Sequence, residues 1–381
     1  MDDKQLLLTV LKSGGSYLLA PAGWDTEWKA AKAASGSAPA WITLMGDSIG
    51  GGAVSTDNLT LAMFPKIRAG LLAAGATLYG DHISPYMSAD GWAAGGGWAG
   101  GTPAWVVNTT TGRSWYTWGL SRLMLYASNA NPNLYTYTSP YACTAMDIVY
   151  YNYNGGNWRY SLDGGAAVQV NTTSAKTFSR VQLSGLANTT HTLSFGQQSG
   201  DYAMQICGVT AYASTVGIGF TNYAYGGAGV YGYGQNNNSP ADRIAPFGST
   251  AFLPCQPHLA ILEFGINDCQ GSVTAGDYTA ALVRFVNAFR TGRANCSILL
   301  VAPSNPGAAS EVTTNRFTNY ANWYLYKNAM LAVAKQYGCA YIDIDAKWGN
   351  KTVTAGFHRA NQPHPIDGGH ADIANEILKL I

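Results

Sequence analysis

The chain has 381 residues, 47% of them hydrophobic and only 11% charged, so it can bury one large core or two ordinary ones and is not a disordered polyelectrolyte. Its 22 basic and 21 acidic residues leave a net charge of +1. With no basic run to follow a phosphate backbone, nucleic-acid binding has no footing, and no apolar stretch approaches the roughly 20 residues that span a bilayer. In place of charge stand 45 Gly, 24 Tyr and 11 Trp, a composition suited to the β-rich surfaces of secreted or virion proteins and ill suited to coiled coils.

The opening MDDKQLLLTVLKSGGSYLL sets two acids ahead of a short apolar run, Leu6 to Leu11, unlike a normal signal peptide. Residues 1–40 carry no long periodic element and read as a lead-in arm. Trp41 to Met45 is a short apolar run ending at Gly46, the pattern of a buried strand. A helix is predicted from near Pro65, with Ile67, Leu71 and Leu72 on one face and Gly75 as its stop. From 84 to 114 the chain is loop-like and glycine-rich. Turn signals then recur at roughly 8–12-residue spacing, as in an antiparallel sandwich. Met146, Ile148 and Tyr150 alternate with their neighbours, Trp158 to Leu162 runs into the hairpin turn Asp163-Gly164, and Ala203 to Tyr212 is a further strand. From Val216 the pattern changes back. Val216–Tyr223, Leu259–Phe264, Ser297–Ala302 and Ala340–Ile344 are short apolar strands. Between them lie helices at 277–290, with Thr274 and Asp277 as a capping pair, and at 316–336; a last helix puts Ala374, Ile377, Leu378 and Ile381 on one face. Strands alternating with helices imply a parallel sheet covered on both sides, with ligands at the carboxyl ends of its strands.

Six cysteines (143, 207, 255, 269, 296 and 339) contain no CxxC, which excludes zinc-ribbon and thioredoxin-like sites. A Cys143–Cys207 disulfide and buried thiols remain alternatives. Gly227 to Gly232 matches GxGxxG, yet a loop composition follows where a dinucleotide fold needs a helix. His358, His364 and His370 stand six apart, off one helix face, and no Cys or acid cluster completes a metal set. No cofactor is expected.

Four stretches fall just after a predicted strand or just before the last helix: Gly46-Asp47-Ser48, Asn222-Tyr223-Ala224-Tyr225-Gly226-Gly227, Gly265-Ile266-Asn267-Asp268, and His364-Pro365 with Gly369-His370. Each is weak alone. In this order and placement they resemble the four blocks of the SGNH, or GDSL, hydrolase superfamily. That resemblance covers roughly residues 41–75 and 216–381, and it implies a flavodoxin-like three-layer α/β/α domain that hydrolyses esters of carbohydrates, lipids or acyl thioesters. Gly227 follows Ser48 by 179 positions, where the family has a short segment. The division expected is an arm at 1–40, a discontinuous hydrolase domain at 41–83 and 214–381, and at 84–213 an inserted antiparallel β-sandwich with its lead-in loop. Inserted jelly-roll domains of this kind resemble those of phage-tail and secreted carbohydrate esterases, which implies a polysaccharide substrate, an extracellular or virion setting, and a place in a larger particle or a homo-oligomer, with no membrane insertion. The tryptophans 92, 98, 105, 115, 118 and 158 have two readings, sugar-stacking surface or core.

The roles the resemblance implies follow residue chemistry. A serine hydroxyl is a weak nucleophile until a base takes its proton, so Ser48 needs His364, near neutral in pKa and able later to protonate the leaving alcohol. The backbone N–H groups of Ser48 and Gly227 and the amide of Asn267 form the oxyanion hole, while Asp47 and Asp268 brace the loops. One position departs from the family, which has an acid three residues before the histidine; here it is Asn361. Asn361 can orient the imidazole without stabilising its charge, a distant acid such as Asp367 can substitute, or the site is weakened. The reading is a serine esterase removing acyl groups, acetyl above all, from a carbohydrate; the alternatives are a lipid or acyl-thioester hydrolase and a glycan-binding adhesin.

Overall fold

In a computed structural model the residues described are 17–52, 61–83, 131–152, 157–173, 177–197, 206–224, 228–231, 252–304, 322–349, 355–358 and 364–381, with the backbone alone for strands at 105–107, 113–118 and 121–126 and for residues 131–134. The chain begins with β1 (Leu18–Leu19), α1 (Thr26–Ala33), β2 (Pro39–Gly46), α2 (Met63–Ala73) and β3 (Leu78–Ile83). Strands alone follow: β4 (Trp105–Val107), β5 (Arg113–Trp118), β6 (Ser121–Tyr126), β7 (Asn131–Thr138), β8 (Cys143–Tyr151), β9 (Asn157–Leu162), β10 (Val168–Asn171), β11 (Phe178–Thr189), β12 (Thr192–Gln197) and β13 (Ile206–Tyr212). Alternation then resumes with β14 (Gly217–Asn222), β15 (Leu259–Glu263), α3 (Ile266–Gln270), α4 (Ala275–Gly292), β16 (Ser297–Ala302), α5 (Trp323–Tyr337), β17 (Ala340–Asp343), α6 (Ile344–Trp348) and α7 (Asp367–Leu378).

The alternating part is the expected α/β fold. Its strands run in the order β17-β16-β15-β2-β14-β3, all parallel, with β1 antiparallel on the edge. Every residue of β14, β15 and β16 is buried, as helix-covered parallel strands require. α2 packs against α7, and α4 against α5. Thr274 caps α4 as its sequence predicts: its Oγ1 accepts from Asp277 N at 3.1 Å and donates to the Asp277 carboxylate at 2.7 Å. Among the described residues no helix is long and apolar enough to cross a membrane.

Three features depart from the expectations. Residues 17–40, read as an arm, hold α1 and are packed down. Trp28 is fully buried, its backbone N–H donates to Ser297 Oγ at 3.0 Å, and Tyr17 Oη donates to Glu376 at 2.9 Å. Only Trp28 is buried along α1, so periodicity could not reveal it. β3, whose sequence LYGDHI is half polar, carries no strand signal, yet it pairs with β14 on one side and β13 on the other. Asp81 is accommodated there by a bidentate bond from Arg68 at 3.1 and 2.9 Å.

The third departure concerns the insert. Its strands are antiparallel as expected, and the Asp163-Gly164 turn takes φ of 51° and 73°, the left-handed pair a tight hairpin demands. Its strands divide, however, between two sheets. β13, β8, β11, β6 and β5 prolong the central sheet beyond β3, making it 12-stranded, while β10-β9-β12-β7-β4 form a second sheet of five. The two sheets meet through Tyr150 and Trp158, ring centroids 5.3 Å apart. Trp158 is fully buried and is therefore core; the tryptophans at 92 and 98 lie outside the described residues, as do the side chains of those at 105, 115 and 118. Cys143 and Cys207 are buried thiols, as are the other four cysteines, and no disulfide joins any of them.

Candidate active site

The carboxyl ends of β2, β14 and β15 converge, and the chemistry-bearing residues stand just beyond them. β2 ends at Gly46, paired in register with Glu263 at the end of β15. A Cβ on Gly46 would lie 2.8 Å from the Glu263 carboxylate, so only glycine lets the chain leave the strand there. The turn closes with Ile49 N donating to Asp47 Oδ1 at 2.8 Å and Gly51 N to Asp47 O at 2.9 Å. It presents Ser48, 9% exposed, and places Ser48 Oγ 2.7 Å from His364 Nε2. These two side chains, 316 positions apart in the chain, come together as expected. His364 stands three residues ahead of α7, and Asp367 is that helix's first residue.

Gly265 follows β15 with φ +124°, and a Cβ there would meet the Trp323 ring at 2.8 Å; this left-handed step turns the chain into α3. Asn267 Nδ2 donates to Ala228 O at 2.9 Å, leaving its second N–H for another acceptor. The Asp268 carboxylate accepts from Val230 N and Tyr231 N, each at 2.9 Å. Both residues thus tie α3 to the segment that follows Gly227. Gly227 and Asn361 themselves lie outside the described residues.

Three further groups have no role in the sequence reading, although Asn222 opens its second stretch. Glu263 is fully buried and accepts from Gly50 N at 3.0 Å and Asp47 N at 3.3 Å; an acid closing the apolar run Leu-Ala-Ile-Leu was the available signal. Asn222, at the end of β14, donates to Gly50 O at 3.0 Å and accepts from Ala224 N at 2.8 Å. His358 Nε2 lies 3.1 Å from buried Ser304 Oγ beyond β16, and His358 bridges Pro365, which anchors the residue next to His364.

Burial sets the electrostatics. It pushes His364 down to about 4, so at neutral pH the imidazole is uncharged and its Nε2 can accept the Ser48 proton. Burial raises Asp47 to about 7 and Asp268 to about 6, in each case against backbone N–H groups that favour the anion. A hydroxyl on a neutral imidazole is equipped for nucleophilic attack on a carbonyl.

Residues 202–371 match the GDSL-like lipase/acylhydrolase family. No curated protein matches the chain significantly. Among solved structures, a peptidoglycan O-acetylesterase shares the fold over 96% of this chain and 98% of its own, with 13% identity and a TM-score of 0.63. A carbohydrate esterase family 2 enzyme with a carbohydrate-binding domain, from Corynascus thermopiles (Myceliophthora fergusii), aligns over 72% of this chain and 97% of its own, with 13% identity and a TM-score of 0.31. The match over residues 202–371 and the shared fold support placing the α/β portion of this chain in the SGNH hydrolase superfamily.

Proposed function

We propose that the protein is a serine esterase that removes acyl groups, acetyl by preference, from a carbohydrate through an acyl-enzyme. The observation that carries this reading is the 2.7 Å contact between Ser48 Oγ and His364 Nε2 at the carboxyl ends of the parallel strands. Ser48 Oγ attacks the ester carbonyl as His364 takes its proton, and the oxyanion is received by Ser48 N–H, Gly227 N–H and the Asn267 amide. Collapse expels the sugar alcohol, protonated by His364, and leaves the acyl group on Ser48. Water, activated by the same imidazole, then releases the acid and restores the serine. Asn361 or Asp367 orients the imidazole. For the carbohydrate, support comes from the low charge and aromatic wealth of the chain and from a solved structure of the same fold that is a peptidoglycan O-acetylesterase.

The test is hydrolysis of p-nitrophenyl esters of increasing chain length, with Ser48→Ala as control, followed by mass spectrometry of acetylated polysaccharides after incubation. The expected result is a short-chain preference, at least about 10³-fold loss in kcat for Ser48→Ala, and acetate release from a polysaccharide. A long-chain preference would instead assign a lipid or thioester substrate. Absence of any Ser48-dependent rate, with polysaccharide still bound, would make the protein an adhesin.

A further inference from the structure

Glu263 lies beneath the nucleophile turn with no part in the steps above. It belongs to the sheet, as the last residue of β15, whereas Asp47 and Gly50 belong to the turn. One of its oxygens, Oε2, receives both N–H groups, from Gly50 at 3.0 Å and Asp47 at 3.3 Å. The fit is close: a Cβ on Gly46 would stand 2.8 Å and one on Gly50 3.2 Å from that oxygen. The two donors, Asp47 and Gly50, flank Ser48, and Gly50 O in turn accepts from Asn222 Nδ2. We propose that Glu263 is a positioning residue for the nucleophile, its carboxyl pinning the Asp47–Gly50 turn to the end of β15 so that Ser48 Oγ stays on His364. This rests on the reading of Ser48 as nucleophile.

The two carboxyls share one proton. Glu263 and Asp47 are both fully buried, and among the described residues neither has a cationic partner. The ionisable groups around them are Asp268 on α3, Tyr278 on α4 and His364, which burial disfavours as a cation. Two carboxylates cannot share such a site as anions. Each keeps one buried oxygen without a hydrogen bond, Glu263 Oε1 and Asp47 Oδ2, and a single proton held between the two side chains satisfies both. Burial and the neighbouring Asp47 raise the proton affinity of Glu263 well above that of an ordinary carboxylate, as a proton shared by the two side chains requires.

The experiment compares wild type with Glu263→Gln, Glu263→Met and Glu263→Ser. Readouts are kcat and KM on p-nitrophenyl acetate, the pH profile, and the rate at which a fluorophosphonate labels Ser48 by intact mass. Gln keeps a neutral acceptor for the two N–H groups and a donor toward Asp47; Met keeps only volume, and Ser guards against strain from Met. The expected result is Gln within about threefold of wild type with the acid limb unmoved, and Met and Ser about 10²-fold lower in kcat and labelling at near-constant KM, as for a displaced nucleophile. Met or Ser labelling at the wild-type rate would overturn the proposal, as would a Gln variant no faster than Met. A Gln variant whose acid limb moves to lower pH would show that Glu263 carries a full negative charge and overturn the shared proton. A wild type without Ser48-dependent hydrolysis or labelling would instead fail the esterase reading, a separately recognisable outcome.

Discussion

The imidazole of His364 works far from its ordinary proton affinity, and this has a measurable consequence. Burial drives its pKa to about 4, so the base stays free down to acidic solution. In free enzyme the acid limb of kcat/KM is expected to fall near pH 4, well below the value near 6.5 of an unperturbed histidine. The Asn361→Asp variant should move that limb upward, because an adjacent carboxylate favours imidazolium, and should raise turnover for the same reason. No gain there, with loss in Asp367→Asn, would assign orientation of the ring to Asp367. Asn267→Ala should lower kcat by about 10²–10³-fold, the cost of one oxyanion donor. It also removes the bond to Ala228 O, so Asp268→Ala, which releases Val230 and Tyr231 without touching the amide donor, should cost kcat less. Steady-state rates on one short-chain ester decide the order.

At the scale of elements, two positions beside the site behave differently. Thr274→Ala removes the cap of α4, worth about 1 kcal/mol; the denaturation midpoint should fall with the esterase rate unchanged. Gly265→Ala meets both a left-handed φ of +124° and the Trp323 ring at 2.8 Å. It should lose several-fold more stability than Thr274→Ala and, because Asn267 and Asp268 follow the step it distorts, activity with it. α4 was legible because its periodicity and cap agree, and Tyr278, Ala281, Leu282, Phe285, Val286 and Phe289 are all buried. α1 and β3 were not, since one buries a single tryptophan and the other spends half its residues on polar groups that need partners supplied elsewhere in the chain.

At the scale of the whole molecule, the insert and the hydrolase sheet are one hydrogen-bonded structure. β13 runs its ladder along β3, Val209 opposite Ile83 through Tyr212 opposite Gly80, and Tyr141 Oη bridges both strands, donating to Ala211 O and accepting from Asp81 N at 2.8 and 2.7 Å. Removing residues 114–212 would bare the backbone of β3 as an unpaired edge. The truncated chain is therefore expected to aggregate rather than survive as a small-ester hydrolase, and soluble expression with retained p-nitrophenyl acetate hydrolysis would refute this.

What the amino-acid sequence determined by itself was local: apolar runs that make strands, helical periods, caps, tight-turn residues, and four short blocks whose order resembles that of a superfamily. Those signals suffice because propensity, periodicity and turn chemistry act over a few neighbouring residues. Only the tertiary structure decided what depends on approach across the chain: that Ser48 and His364 touch, that an acid closing β15 holds the turn bearing Ser48, that Asp268 holds Val230 and Tyr231, and that the inserted strands extend the central sheet. Contacts between residues hundreds of positions apart are settled by packing and by the pairing of buried polar groups, and these leave no period along the chain to read.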